Sequence, residues 1–133
     1  MEQIPVVSLP GEARQLLESA RPVSVLWQDP GALAFIARGR EYRNEFHIDP
    51  SDEIIYVLKG NVRVHYRTPG GKEEVAMMPE GSMIHIPAGV PHSPRGPSDA
   101  VALVIERPRR EGEIDLFIEA WLRWKLSEGQ EKE

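Results

Sequence analysis

The sequence contains no cysteine among its 133 residues. This absence excludes disulfide bonds and thiolate metal sites, so a metal site in this chain has to use histidine, aspartate or glutamate. Long hydrophobic runs are also missing, and none approaches the roughly 20 residues that span a membrane. The first residues have neither the basic nor the apolar part of a secretion signal. We therefore expect a cytoplasmic protein without a membrane segment.

Positive charge is scarce, since the chain has 16 lysines and arginines but 21 aspartates and glutamates, which gives a formal net charge of −5. The dense basic stretch is short and consists of Arg107, Arg109 and Arg110 around Pro108. We interpret it as a solvated strand end, because an acidic chain without interleaved aromatic and basic residues is not typical of nucleic-acid binding. A small-molecule partner is expected instead, and the length predicts one domain over residues 1–133.

Twelve prolines and eleven glycines separate short apolar runs, a pattern typical of a many-stranded β-protein. Near the N-terminus, apolar residues at helical spacing predict a short helix over 12–20, which Pro22 ends. Alternating side chains then predict strands over 23–27, 32–37, 45–47, 54–58, 62–66, 74–77, 83–86 and 101–105.

Helical spacing returns near the C-terminus. Ile114, Phe117, Trp121 and Trp124 recur at intervals of three and four residues, which predicts a helix over about 113–126. We expect its apolar stripe to pack on the strands or on a second subunit. A homodimer is expected, because the two tryptophans need cover.

Two sequence blocks carry the chemistry. The first has His47, then Glu53 after five residues and Gly60 after six more; the second has Gly81, Pro87, Gly89 and His92. With average residue usage the second block arises by chance at roughly 10⁻⁵ per starting position. The blocks resemble the two motifs of the cupin superfamily, in the same order. The resemblance implies an all-β fold, a jelly-roll barrel (double-stranded β-helix) over about 23–107 flanked by the two helices.

The same resemblance implies a metal site made by His47, Glu53 and His92. Two imidazoles and one carboxylate leave three coordination positions open, an arrangement that favours non-haem Fe(II). Many cupins have a second histidine two residues after the first, where this chain has Asp49. A site with four protein ligands is therefore not expected, although Asp49 has a carboxylate that can bind a metal. His65 and His85 lie off the motif positions and are interpreted as structural.

A narrower resemblance covers residues 25–117, roughly the whole barrel. It rests on the following stretches: Arg43-Asn-Glu-Phe-His47, Glu53-Ile-Ile-Tyr-Val-Leu-Lys-Gly60, Pro91-His-Ser-Pro94 with Arg95, and Leu103-Val-Ile-Glu-Arg107. Together they resemble the 3-hydroxyanthranilate 3,4-dioxygenase family. That family opens an aromatic ring in an extradiol-type reaction with Fe(II) and dioxygen.

The resemblance also implies roles for three further residues. Arg43 matches an arginine that faces the substrate and oxygen side, while Arg95 and Glu106 match residues that hold the substrate carboxylate and assist proton movement. An arginine suits a carboxylate because its planar fork donates two parallel hydrogen bonds. A glutamate beside a metal-bound aminophenol can accept or relay a proton.

Three departures from the family pattern are visible. Arg95 follows His92 by three residues, where the family usually has four; the stretch before Trp27 lacks the Asn-Arg pair of a mobile lid; and the Cys-x-x-Cys iron site of bacterial members is absent. The first two bear on substrate identity and leave two alternatives open. These are a metal-dependent isomerase or decarboxylase, and a cupin that binds a ligand without catalysis.

Overall fold

The computed structural model describes residues 4–41 and 45–119, apart from the side chains of 117–119. Its elements in chain order are α1 (Leu9–Glu18), β1 (Val23–Gln28), β2 (Leu33–Arg38), β3 (Glu45–Ile48), β4 (Glu53–Lys59), β5 (Val62–Arg67), β6 (Glu73–Met78), β7 (Met83–Ile86), β8 (His92–Arg95), β9 (Val101–Glu106) and β10 (Leu116–Glu119). All the strand pairs are antiparallel, as expected for a jelly roll.

The strands form two five-stranded sheets. The first has the order β1-β2-β9-β4-β7 and the second the order β10-β3-β8-β5-β6. The largest apolar cluster consists of side chains from both sheets: Ile55, Val57, Val62, Val64, Met78, Ile86, Ala100, Ala102 and Val104. In β4, residues 53, 55 and 57 are buried while their neighbours are less so, which is the two-residue period of a strand with one inner face.

The N-terminal helix covers the outer face of the first sheet. Its Ala13 and Leu16 are buried against Ile36 of β2 and Val101 of β9. The helix begins three residues earlier than the predicted residue 12. Ser8 caps it by accepting a hydrogen bond from the Gly11 N–H at 3.3 Å, and a proline is tolerated in a first turn. None of the described helices is long and apolar enough to cross a membrane.

The C-terminal prediction is wrong where the structure describes it. Residues 116–119, expected within a helix over about 113–126, form strand β10 instead. Leu116 pairs with Ile48 and Glu119 with Glu45, so β10 covers the edge of β3. The backbone hydrogen bonds of a sheet edge, which β3 would otherwise leave unpaired, outweigh the local helical spacing. Residues 113–115 are not helical either, and residues 120–126 lie outside the described residues.

A second difference concerns the segment of His92. No strand was predicted between residues 86 and 101, but His92–Arg95 form strand β8. The strand is short and contains Pro94, so its own sequence has little strand character. It is stabilised by pairing with β3 on one side and β5 on the other.

Candidate metal centre

Four side chains converge at one end of the space between the sheets. His47, Asp49, Glu53 and His92 each offer a ligand atom, and these atoms all lie within 4.8 Å of one another. His47 belongs to β3 and His92 to β8, where the two residues are paired across the strands. Their ring centroids are 5.4 Å apart. The structure thus brings together the three predicted metal ligands and adds Asp49.

Glu53 reaches the cluster from the opposite sheet. His47 lies on β3 of the second sheet, whereas Glu53 lies on β4 of the first. The turn between them crosses from sheet to sheet, and Asp52 supports it by accepting the Ala88 N–H at 2.9 Å. Gly89, with a φ of 84° that favours glycine, donates its N–H to the Asp49 carbonyl at 2.8 Å. The two motif blocks are therefore joined by a hydrogen bond between backbone groups as well as by one that a side chain accepts.

The donor atoms lie close enough together to share one cation. Nε2 of His92 is 2.6 Å from Oε2 of Glu53, and Nε2 of His47 is 2.6 Å from Oδ1 of Asp49. Within the described part of the chain, Oε2 of Glu53 and Oδ2 of Asp49 are buried without a hydrogen bond of acceptable geometry. Buried carboxylate oxygens in this condition are costly unless a cation binds them. The donor set of imidazole nitrogens and carboxylate oxygens fits a divalent transition metal.

Charge interactions set the protonation of these groups. Burial alone would lower the pKa of His47 and of His92, but Asp49 and Glu53, their respective carboxylate neighbours, outweigh it and both pKa values are raised. Burial would raise the pKa of Asp49, but His47 and its other neighbours hold it down at about 2. Burial raises the pKa of Glu53. Because a metal binds the deprotonated imidazole, these raised pKa values couple cation binding to the release of protons.

The cluster opens into a cavity of about 330 Å³ between the sheets. Its walls are largely apolar and include Phe35, Ile55, Val62 and Val104. Besides His47, Glu53 and His92, the charged side chains that line it are Arg38, Arg40, Arg95 and Glu106. A concave, mostly apolar site with a few converging polar groups is typical of small-molecule binding.

Glu106 borders this cavity at the end of β9. It is paired across the sheet with Glu53 of β4, and its side chain is only 8% exposed. Burial, together with the charges of Glu53 and Asp49, raises the pKa of Glu106 to about 7. At neutral pH this carboxyl is therefore poised between its two protonation states, which suits a group that exchanges protons.

Arg95 also lines the cavity, but it is out of phase with His92. Alternate residues of a strand face opposite sides, and Arg95 follows Ser93, whose Oγ accepts a hydrogen bond from its Nε at 3.3 Å. Its guanidinium carbon is 6.0 Å from the centre of the Phe46 ring. Arg43, predicted to face the same space, lies outside the described residues.

Sequence reasoning missed one basic residue beside the cluster. Arg109 donates from Nη2 to Oδ1 of Asp49 at 2.8 Å and to Oε1 of Glu106 at 3.3 Å, and its Nε donates to Asp115. The interpretation of this basic stretch as a solvated strand end is wrong for Arg109, and also for Arg107, which makes a bidentate pair with Glu113. Apart from Glu106 at the end of β9, these partners come from the turn after β3 and the segment before β10, and no sequence pattern around the arginines indicates them.

The other two histidines lie away from the cluster, as interpreted. His65 contacts Glu73 at 3.2 Å, and Nε2 of His85 contacts Asp52 at 2.9 Å on the surface. Asp115, in contrast, borders the cluster, because its Oδ2 is 3.2 Å from Nε2 of His47. Its position follows from β10, which sequence reasoning predicted as a helix.

Comparison with known proteins decides the family. The model of the 3-hydroxyanthranilic acid dioxygenase family matches residues 5–132. The chain belongs to this family. A 3-hydroxyanthranilate 3,4-dioxygenase of Bacillus cereus is 42% identical over 107 residues, which are 80% of this chain and 60% of that protein. One of Paraburkholderia phytofirmans is 38% identical over 93 residues, 69% of this chain and 53% of that protein.

The membership predicted from the sequence is thereby confirmed. The chain spans about half to three fifths of the length of these curated relatives. Among solved structures, a cupin-2 domain protein of Shewanella frigidimarina has a TM-score of 0.59 and 18% identity over 77% of this chain and 95% of that one. With the two antiparallel sheets, this likeness confirms the predicted cupin fold.

Proposed function

We propose that this 3-hydroxyanthranilic acid dioxygenase family member is an Fe(II)-dependent ring-cleaving dioxygenase. Its substrate would be 3-hydroxyanthranilate or a related aminophenol or hydroxybenzoate with a carboxylate. One observation carries the proposal: the metal-ligand cluster, Arg95 and Glu106 all border the same cavity. A protein that only bound a metal would have no use for an arginine and a carboxyl of raised pKa beside it.

The cavity suits a single aromatic ring. Phe35, Ile55 and Val104 provide apolar walls, and a volume of about 330 Å³ lies at the lower end of small-molecule pockets, roughly 300–1,000 Å³. Arg38 and Arg95 supply positive charge at its border. An arginine binds a carboxylate through parallel charge-assisted hydrogen bonds, so it favours a carboxylated ring over an unsubstituted one.

Fe(II) is the metal we propose for His47, Glu53 and His92. Nitrogen and oxygen donors without thiolate suit it, and two histidines with one carboxylate form the triad typical of non-haem iron oxygenases. The ion would supply positions at which substrate and dioxygen meet and would make the substrate hydroxyl easier to deprotonate.

The chain's own residues perform the remaining tasks in this proposal. Arg95 holds the substrate carboxylate and so orients the ring. Glu106 takes up a proton from the substrate hydroxyl or amino group and returns it later, as its pKa of about 7 allows. The apolar walls keep bulk water out of the site, which strengthens both interactions. Arg43 is proposed to face the same space.

The test is oxygen uptake by protein loaded with Fe(II) under anaerobic conditions. We expect rapid uptake with 3-hydroxyanthranilate, a new absorbance band from a ring-opened semialdehyde, and slower turnover of 2-aminophenol, which lacks the carboxylate. Loss of substrate without oxygen uptake would contradict the proposal and favour an isomerase or decarboxylase. Stabilisation by the aromatic acid without any turnover would favour a ligand-binding cupin.

Two further properties belong to the proposal. We propose a homodimer, because Val23 and Val25 of edge strand β1 are 41% and 57% exposed and a sheet edge of this kind is suited to association. Analytical ultracentrifugation tests it, and a monomer at micromolar concentration would contradict it. We also propose a cytoplasmic location, since the reducing interior of the cell favours the ferrous state.

A further inference from the structure

The guanidinium of Arg109 contacts three carboxylates from different parts of the fold. Its Nη2 donates to Oδ1 of Asp49 at 2.8 Å and to Oε1 of Glu106 at 3.3 Å, and its Nε donates to Oδ1 of Asp115. Its Nη1 donates to the carbonyl oxygen of Arg107 at 3.0 Å. All three nitrogens therefore have an acceptor, and because the donors form a rigid planar fork, one orientation of the group satisfies them together.

Among these carboxylates, Glu106 is the one that lines the cavity. Its side chain is 8% exposed. Oε1 accepts the hydrogen bond from Arg109, and none of the described residues donates one to Oε2. A glutamate side chain loses much rotational freedom when one oxygen is fixed, so Oε2 points in a restricted range of directions. Arg109 itself is not among the described residues that border the cavity, and Glu106 is the group through which it can act on a substrate there.

The other two carboxylates hold Arg109 from the second sheet. Asp49 lies in the turn after β3, and Asp115 directly precedes β10, the strand that pairs with β3. Glu106, in contrast, is the last residue of β9 in the first sheet. Asp49 is 3% exposed, and breaking a hydrogen bond to a buried charged group is costly. Arg109 therefore links Glu106 to a fixed point on the opposite sheet.

We propose that Arg109 is the positioning residue for Glu106 in ring cleavage: it holds Oε1, so that Oε2 faces the hydroxyl or amino group of the bound substrate. The inference rests on the proposed function and deepens it by naming the residue that orients the proton carrier. The proton leaves the substrate for Oε2 and returns later in the cycle, so Glu106 ends each turnover in its starting state. Arg109 affects the rate because a displacement of about 1 Å slows a reaction about 100-fold.

The first measurement separates rate from substrate binding. In Arg109→Gln we expect kcat for 3-hydroxyanthranilate to fall about 10- to 100-fold, while KM changes little. Such a pattern is typical of an interaction that contributes in the transition state. Arg109→Lys keeps a charged donor without the planar fork and should restore part of the rate. A wild-type kcat in Arg109→Gln, or a loss confined to KM, would overturn the proposal.

Arg107→Gln is the matched control. Arg107 lies two residues away and has an ion pair of its own, since Nη1 and Nη2 donate to Glu113 at 2.6 and 2.8 Å. Its described contacts do not include Glu106, so the variant should keep the wild-type kcat. Circular dichroism checks that all variants are folded. A loss of kcat as large as that of Arg109→Gln would show that the segment acts only through its shape, and would contradict a specific role for Arg109.

A double-mutant cycle tests whether Arg109 acts through Glu106. Adding Arg109→Gln to Glu106→Gln should lower kcat no further, because the proton carrier that Arg109 orients is already missing. A further loss as large as that in the wild-type background would overturn the proposal.

The orientation of Glu106 in crystals of the metal-free protein is a measurement that needs no turnover. We expect one rotamer in the wild type and in Arg107→Gln, and a different rotamer or several in Arg109→Gln. Retention of the wild-type rotamer in Arg109→Gln would rule out the positioning role. A wild type that takes up no oxygen would count against the proposed dioxygenase, while this comparison would still decide whether Arg109 positions Glu106.

Discussion

The Nδ1 atom of His92 donates a hydrogen bond to the carbonyl oxygen of Val90 at 2.9 Å. A carbonyl can only accept, so the proton of the neutral ring is on Nδ1 and the lone pair is on Nε2. Nε2 is also the atom that faces Glu53, at 2.6 Å. The turn before β8 therefore selects the tautomer that can bind a metal, and it does so before any metal arrives.

A divalent metal should stabilise the protein through Glu53. At a free Fe(II) or Co(II) concentration of 100 times the dissociation constant, linkage adds about 2.7 kcal/mol to the free energy of unfolding. Glu53→Gln should abolish most of this increase, because it removes a charged ligand, while Glu74→Gln, at an ion pair with Lys72 away from the cluster, should retain it. Thermal melts with and without metal measure the effect. A shift of equal size in Glu53→Gln would show that the ion binds elsewhere.

Glu106→Gln should lose activity and keep the metal. Removing a general acid–base group slows turnover about 10²- to 10⁴-fold, whereas Glu106 is not among the four clustered ligand residues. The checks are kcat from oxygen uptake and metal content of the purified variant. Glu113→Gln is the control, since Glu113 pairs with Arg107 rather than facing the cavity. A Glu106→Gln variant that turned over at the wild-type rate would remove this residue from the mechanism.

The stability of the metal-free protein should fall as pH rises from 4.5 to 7. Glu106 has its pKa raised from 4.5 to about 7, so in this range the folded state keeps a proton that the unfolded state releases. The stabilisation is complete below pH 4.5 and is lost above about 7, an effect of about 1–3 kcal/mol. Urea melts of the wild type and of Glu106→Gln measure it. The two proteins should differ in slope in this window, and parallel curves would argue against the raised pKa.

Arg95→Met should discriminate between substrates with and without a carboxylate. A hydrogen bond to a charged group contributes about 1.5–3 kcal/mol, so KM for 3-hydroxyanthranilate should rise about 10- to 100-fold. KM for 2-aminophenol should change little. Arg110→Met, at an exposed arginine, is the control. Equal losses for the two substrates would mean that Arg95 supports the fold rather than the carboxylate, and Arg38 would then be the next arginine to test.

Leu16→Ala should destabilise the protein without changing the chemistry of the site. Leu16 is fully buried between α1 and the outer face of the first sheet. Truncating a buried leucine costs about 2–5 kcal/mol, whereas Gln15→Ala, on the exposed side of α1, should cost little. Urea denaturation gives both values. Metal affinity measured at a temperature where both variants are folded should be equal to that of the wild type.

Much of the fold could be predicted from the sequence because its strands alternate clearly. The eight predicted strands are all present, and none of their ends is shifted by more than one residue. The two that were missed, β8 and β10, have little local strand character and are formed by pairing with β3. Their conformation depends on partner strands more than 25 residues away, which local periodicity cannot report.

The residues of the site can be divided in the same way, into those that sequence spacing predicts and those that depend on contacts between distant segments. Motif spacing predicts the ligands His47, Glu53 and His92, and their side chains do converge. Glu53 reaches the other two from the opposite sheet. Asp49 and Arg109 could not be ranked from sequence, because their meeting requires the turn after β3 and the segment after β9 to fold against each other. The side of β8 on which Arg95 lies could not be predicted, because His92–Arg95 was not recognised as a strand.

The pairing of His47 with His92 across β3 and β8 has a consequence for how the protein is made. These ligands are separated by 44 residues, and β9 with Glu106 and Arg109 follows later still. Such long-range pairing is slow to form. A chain still emerging from the ribosome with only its first 80 residues can pair β1 with β2 and β5 with β6, but β3 still lacks its partner strands and just one of the two histidines is present. Metal uptake is therefore a late event, and the ion should report completed synthesis rather than guide the early stages.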